Sequence, residues 1–140
     1  MSSRVIVRSK EGLVQEWVAR NHTQIVDEPG DQGGTDLGPT PYELLLAALG
    51  SCTSMTLLLY ARRKAWPLES VEVALSHGRI HAKDCIDCAS KDGMIHEIHR
   101  ELHLSGPLTS EQRSRLIEIA SKCPVHKTLT AEIKVRETSA

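Results

Sequence analysis

Eighteen consecutive residues from Leu44 to Ala61, LLLAALGSCTSMTLLLYA, carry no charge. The stretch is about as long as the shortest membrane-spanning helices, roughly 17 residues. Its centre, Gly50-Ser51-Cys52-Thr53-Ser54, is polar, and Thr56 follows. That centre favours a soluble protein over a bilayer. A helix apolar on every side must be covered on every side. A chain of 140 residues seldom does this alone. Either a sheet wraps around the helix or a second subunit covers it. The helix limits are written locally. Thr40-Pro41-Tyr42-Glu43 is a capping box with Pro at the first helical position. Arg62-Arg63-Lys64 puts positive charge at the negative pole of the helix dipole, and Trp66-Pro67 ends the element.

The remaining segments predict an α+β fold. VIVRS, LVQEWVA and HTQIVDE, between residues 4 and 28, alternate and read as three short strands. Residues 29–40 form a Gly- and Pro-rich loop. Residues 69–82 and Met94 to Leu104 predict a long hairpin, with a bulge at Gly78 and a polar tip from Asp84 to Gly93. On its second strand His96, Ile98, Arg100, Leu102 and Leu104 share one face, while Ile95, Glu97, His99, Glu101 and His103 share the wet one. Thr109-Ser110-Glu111-Gln112 opens a second helix, which carries Leu116, Ile119, Ala120 and Cys123 on its buried face and stops at Pro124. A turn over 125–128 then leads to a last strand, Ala131 to Val135. The expected organisation is one domain over 1–140: a three-stranded part and loop over 1–36, a central helix over 37–65, and a hairpin, helix and strand over 66–140.

Composition narrows the function. The net charge is −1, and with two Trp, two Tyr and no Phe there is no basic, aromatic surface for nucleic acid. The GxGxxG, GxxxxGK[ST], HExxH and GxSxG motifs do not occur. The first residues, MSSRVIVRSK, have no apolar run of signal-peptide type behind them, which predicts a cytoplasmic protein. In a reducing compartment four cysteines point to redox or metal chemistry rather than a disulfide framework.

Cys52 lies about three turns into the apolar helix. There it either packs as a small hydrophobe or is reactive with help from an Arg or His, because the helix dipole fades within the first turn. Cys123, in KCPVHK, also faces the core by pattern. Whether the two meet is a question of Cα separation that spacing does not answer. Cys85 and Cys88 form C-x-x-C beside Asp84 and Asp87 at the hairpin tip. Those carboxylates disfavour thiolates, so a thioredoxin-type role is not expected. A solvated loop is the plainer reading, and a zinc site with His81 and His96 is the alternative. His99 and His103, four apart on a strand and so roughly 13 Å apart, cannot share one metal. Glu43 is explained by its cap. It lies nine residues before Cys52, roughly 13 Å along the axis, so it acts on that thiol only through an arginine or across to another subunit.

GPTPYELLLAALGSCTSMTL, Gly38 to Leu57, and KCPVHKTL, Lys122 to Leu129, resemble the OsmC/Ohr family of thiol-dependent peroxide reductases, and the long helix motif resembles a small branch of it. The resemblance implies antiparallel sheets wrapped around the central helix in an intertwined homodimer. It implies that Cys52 attacks an organic hydroperoxide, that Cys123 resolves the product as a disulfide, and that an external dithiol reduces the pair in oxidative-stress defence. It implies no metal or organic cofactor. Two positions depart from the pattern. Active members carry glutamate directly after the helix-opening proline, where this chain has Tyr42 and the acid is Glu43. They also carry an arginine near the nucleophile on the N-terminal strands, and residues 25–34 hold none. The available arginines are Arg4, Arg8 and Arg20, with Arg8 or Arg20 the supporting candidates and His126 a substitute. The alternative functions are a non-catalytic module binding a small ligand or metal on the same scaffold, and a different thiol chemistry such as thiol transfer.

Overall fold

The alternating segments near the start of the chain pair as an antiparallel sheet of β1 (Ile6–Ser9), β2 (Gln15–Ala19) and β3 (His22–Val26), in the order β1-β2-β3. The computed structural model describes residues 3–139. By internal contacts the chain divides into two compact units, the first ending at Leu45 and the second beginning at Leu46.

In the first unit the loop after β3 is organised around one carboxylate. Asp27 is only 2% exposed. Its oxygens accept hydrogen bonds from the Thr35 hydroxyl (2.7 Å) and from the backbone N–H groups of Glu28 (2.8 Å), Thr35 (3.1 Å) and Leu37 (3.1 Å). These donors favour the ionised form. The Thr35 hydroxyl has the largest effect, burial opposes it, and the net result is a pKa lowered from 3.8 to about 2. The loop leads into the Thr40–Glu43 capping box. Glu43 Oε1 accepts from the Thr40 N–H (2.8 Å), and the Thr40 hydroxyl accepts from the Glu43 N–H (3.1 Å).

The helix α1 runs from Pro41 to Lys64. Its buried positions, Leu49, Gly50, Thr53, Leu57 and Ala61, form a stripe at near-fourfold spacing. By length and hydropathy α1 would pass as a membrane span, yet it is the core helix of the second unit. Gly50 lets it approach the hairpin closely, since a Cβ there would meet Leu75 Cδ1 at 2.7 Å. Among the described residues of α1 these five positions are the buried ones. Leu45, Met55 and Leu59 stay exposed.

The hairpin consists of β4 (Ser70–His81) and β5 (Met94–Ser105), paired without interruption from Ser70↔Ser105 to His81↔Met94. The bulge expected at Gly78 is absent: Gly78 sits directly opposite Glu97, because glycine needs no extra residue to remain in the ladder. Helix α2 (Ser110–Ala120) begins at the capping box of Thr109 and Gln112. Leu57 and Ala61 pack against Leu116, Ile119 and Ala120, and Val71, Leu102 and Leu104 of the hairpin close over them. Leu57 and Leu116 are fully buried, each contributing about 2 kcal/mol by removal from water.

The end of the chain differs from expectation. Pro124 does not simply stop a helix. It starts one, α3 (Pro124–Leu129), because proline is suited to the first helical position and Cys123 caps it. The strand expected over 131–135 does not form. Residues 131–139 are exposed and lack regular structure, with Ile133 at 53% and Val135 at 80% exposure. Alternation alone does not make a strand. It needs a ladder partner, and none of the described strands pairs with this segment.

Two predictions follow from backbone chemistry. Since folded Asp27 is more acidic than an unfolded carboxyl, its stabilisation is complete above pH 3.8 and is lost as pH falls from 3.8 through about 2. Urea midpoints measured across that range will fall, and Asp27→Asn will flatten this segment while lowering stability at neutral pH. Gly106 adopts φ +131°, and a Cβ there would collide with the backbone carbonyl of Pro67. Gly106→Ala will therefore destabilise the protein by at least about 1–3 kcal/mol in chemical denaturation.

Candidate active site

The two cysteines expected in the core arrive by different routes. Cys123 follows α2 and caps α3. It is fully buried, and its Sγ accepts the backbone N–H of His126 at 3.2 Å. Its other neighbour is Thr53 of α1, whose Oγ1 lies 3.8 Å from the sulfur. Cys52 is the residue before Thr53. It is half-buried and is not in a disulfide. Among the described residues its thiol has no hydrogen-bond partner. The structure thus places Thr53 against Cys123, with Cys52 next along the helix.

Proton accounting at Thr53 shows how this contact is held. The hydroxyl donates to the Leu49 carbonyl at 2.7 Å, one helical turn back. Its oxygen then accepts from Arg100 Nη1 at 2.9 Å. With its only proton committed to Leu49, Thr53 has a lone pair left for the Cys123 thiol. The other arm of Arg100, Nη2, lies 3.2 Å from His126 Nδ1. A guanidinium only donates, so Nδ1 is the acceptor and the His126 proton sits on Nε2. Burial, reinforced by the Arg100 charge, lowers the pKa of His126 below its ordinary 6.5 and keeps the ring neutral. Arg100 therefore ties the central helix to α3 around Cys123.

Neither Arg100 nor Thr53 was among the site residues expected from sequence, although both left a trace there. Arg100 falls on the apolar face of β5, between Ile98 and Leu102, where a charge requires a partner. Thr53 falls on the buried 49/53/57/61 stripe of α1. The other candidates lie as follows. Arg8 is on β1 opposite Glu16, and Arg20 is in the β2–β3 turn at φ +56°, both exposed. Glu43 is engaged in its cap.

The hairpin tip differs from the solvated loop expected. Cys85 and Cys88 are joined as a disulfide, with Cα atoms 5.5 Å apart. The third donor beside them is Asp87, not His81 or His96. His96 instead stacks on His77, with Nδ1 2.9 Å from His77 Nε2.

The fold has known counterparts. The sequence matches the family described as OsmC-like protein over residues 33–138, and the chain belongs to that family. Its fold is shared by an OsmC-like protein from Mycoplasma pneumoniae (TM-score 0.73, 21% identity, 92% of this chain and 87% of that one). It is shared as well by the organic hydroperoxide resistance protein OsmC of Legionella pneumophila (TM-score 0.66, 15% identity, 93% and 90%). A third counterpart is the organic hydroperoxide resistance protein OhrB of Bacillus subtilis (TM-score 0.62, 16% identity, 93% and 91%). A comparison with functionally curated proteins finds no match.

The Arg100–His126 contact carries its own test. In an NMR titration the His126 ring will protonate below pH 6.5, and in Arg100→Gln its midpoint will rise toward 6.5 without reaching it, because burial remains. Since the unfolded chain takes up this proton more readily, the native protein will lose stability as pH drops below 6.5.

Proposed function

We propose that this protein is a thiol-dependent peroxidase that reduces small organic hydroperoxides. Membership of a family whose structural relatives include organic hydroperoxide resistance proteins supports the reading. The observation that carries it is the contact of Cys123 with Thr53, the residue that follows Cys52 on α1, with Arg100 bonded to the Thr53 hydroxyl and both cysteines free.

In this mechanism the Cys52 thiolate attacks the distal peroxide oxygen. The O–O bond breaks, an alcohol leaves after taking up a proton, and Cys52 becomes a sulfenic acid. The Cys123 thiol then attacks the Cys52 sulfur and expels water, forming a disulfide. An external dithiol restores both thiols and is itself oxidised to a disulfide. Arg100 is the positioning cation. It orients Thr53 directly and, through the neutral His126, holds α3 with Cys123 against α1. With two Trp, two Tyr and no Phe in the chain, a peroxide pocket would be built from aliphatic side chains, which suits an alkyl hydroperoxide. Arg8, Arg20 and Glu43 take supporting parts only if a second copy brings them to the thiol. That copy also covers Leu45, Met55 and Leu59, making the working form a homodimer. The cycle suits the cytoplasm, where dithiol reductants are abundant, and needs neither metal nor organic cofactor.

Intact mass after one equivalent of cumene hydroperoxide tests the chemistry. The reduced protein will lose two hydrogens, and the loss will disappear in both Cys52→Ser and Cys123→Ser. An unchanged mass after an hour at neutral pH overturns the proposal.

A further inference from the structure

The peroxidase cycle leaves Cys85 and Cys88 unused. They occupy the tip of the hairpin, between the short 3-10 turn Ala82–Asp84 and the start of β5. Ile86 between them is 99% exposed, and both cysteines are half-buried, so the bond is open to solvent reagents.

The tip does not depend on the bond for its shape. The Ala82 N–H donates to the Gly93 carbonyl at 2.8 Å, and the Cys85 N–H donates to the Ala82 carbonyl at 3.1 Å. Lys91 Nζ donates to the Cys88 carbonyl at 3.1 Å. Below them the β4–β5 ladder is continuous. A disulfide across so short a loop constrains the unfolded chain little. Cleaving it therefore leaves the loop in place, with two thiols facing the same side.

A third donor is already aimed at them. Asp87 Oδ1 lies 3.2 Å from Cys85 Sγ, and one donor atom from each of Cys85, Asp87 and Cys88 falls within 4.8 Å of the others. Around them stand three carboxylates, Asp84, Asp87 and Asp92, against two lysines, Lys83 and Lys91. Asp87 thus sets a carboxylate beside the two sulfurs. The same carboxylate favours a bound dication. Two thiolates and one carboxylate on a turn make three ligands of a tetrahedral zinc-type site, the fourth place being left to water.

We propose that Cys85, Cys88 and Asp87 form a redox-gated site for a thiophilic divalent cation of the zinc class. In the oxidised state the two sulfurs are bonded to each other and the site is closed. A dithiol or phosphine reductant supplies two electrons, the S–S bond breaks, and both sulfurs take up protons. The metal then displaces those two protons as it binds the thiolates and Asp87. The site is independent of the peroxidase reading, which uses Cys52 and Cys123.

Full-length protein, reduced with a phosphine and kept anaerobic, is titrated with Zn2+ and, separately, with Co2+. One metal binds per chain, and Co2+ shows thiolate-to-metal charge-transfer absorption. Protein oxidised with diamide binds none. Cys52→Ser/Cys123→Ser binds as the wild type does, and Asp87→Ala binds at least tenfold more weakly. Cys85→Ser/Cys88→Ser binds none, yet still loses two hydrogens with cumene hydroperoxide. Stoichiometric binding by the Cys85→Ser/Cys88→Ser variant or by oxidised protein, or no binding after reduction, overturns the proposal.

Discussion

A long helix with no polar face has to be covered, and the second compact unit is arranged around that need. The stripe Leu49, Thr53, Leu57 and Ala61 defines the side of α1 that the hairpin and α2 cover. Glycine at position 50 brings the helix close to Leu75. The hairpin is correspondingly long, because each inward residue of β4 faces an inward residue of β5, from Val71↔Leu104 to His77↔Ile98. Covering this one stripe orders most of the second unit. The opposite flank of the helix leaves Met55 and Leu59 exposed.

Within that apolar frame a single polar cluster is tolerated because it is satisfied. Even a half-buried guanidinium needs partners, and Arg100 has them in Thr53 and His126. The same bonds determine the protonation of the cluster. Thr53 has spent its proton on Leu49, His126 is held neutral, and the positive charge remains on Arg100. Arg100 thus places a permanent positive charge on the inner face of a strand.

Much of this was legible in the residues. The capping boxes at Thr40 and Thr109 located two helix starts, because a cap is a local hydrogen-bond exchange needing only four residues. The alternation of β5 separated its inner and outer faces. The family was legible as well, from the motifs around Cys52 and Cys123. The bulge at Gly78 and the strand over 131–135 were not, since both depend on which backbone lies opposite. The partner of Cys123 was equally hidden, as it comes from 70 residues away.

The sequence by itself determined the helix that must be buried, the hairpin, the burial of Cys123 and the acidic C-x-x-C tip. Each is a matter of local pattern: capping, periodicity or the charge of adjacent side chains. Only the tertiary structure decided that Arg100 meets Thr53 and His126, that Thr53 meets Cys123, and that Asp87 rather than a histidine joins Cys85 and Cys88. Periodicity assigns a residue to a face. Which atoms on that face come within hydrogen-bonding distance depends on how helix, hairpin and turn pack, and that is a property of the whole fold.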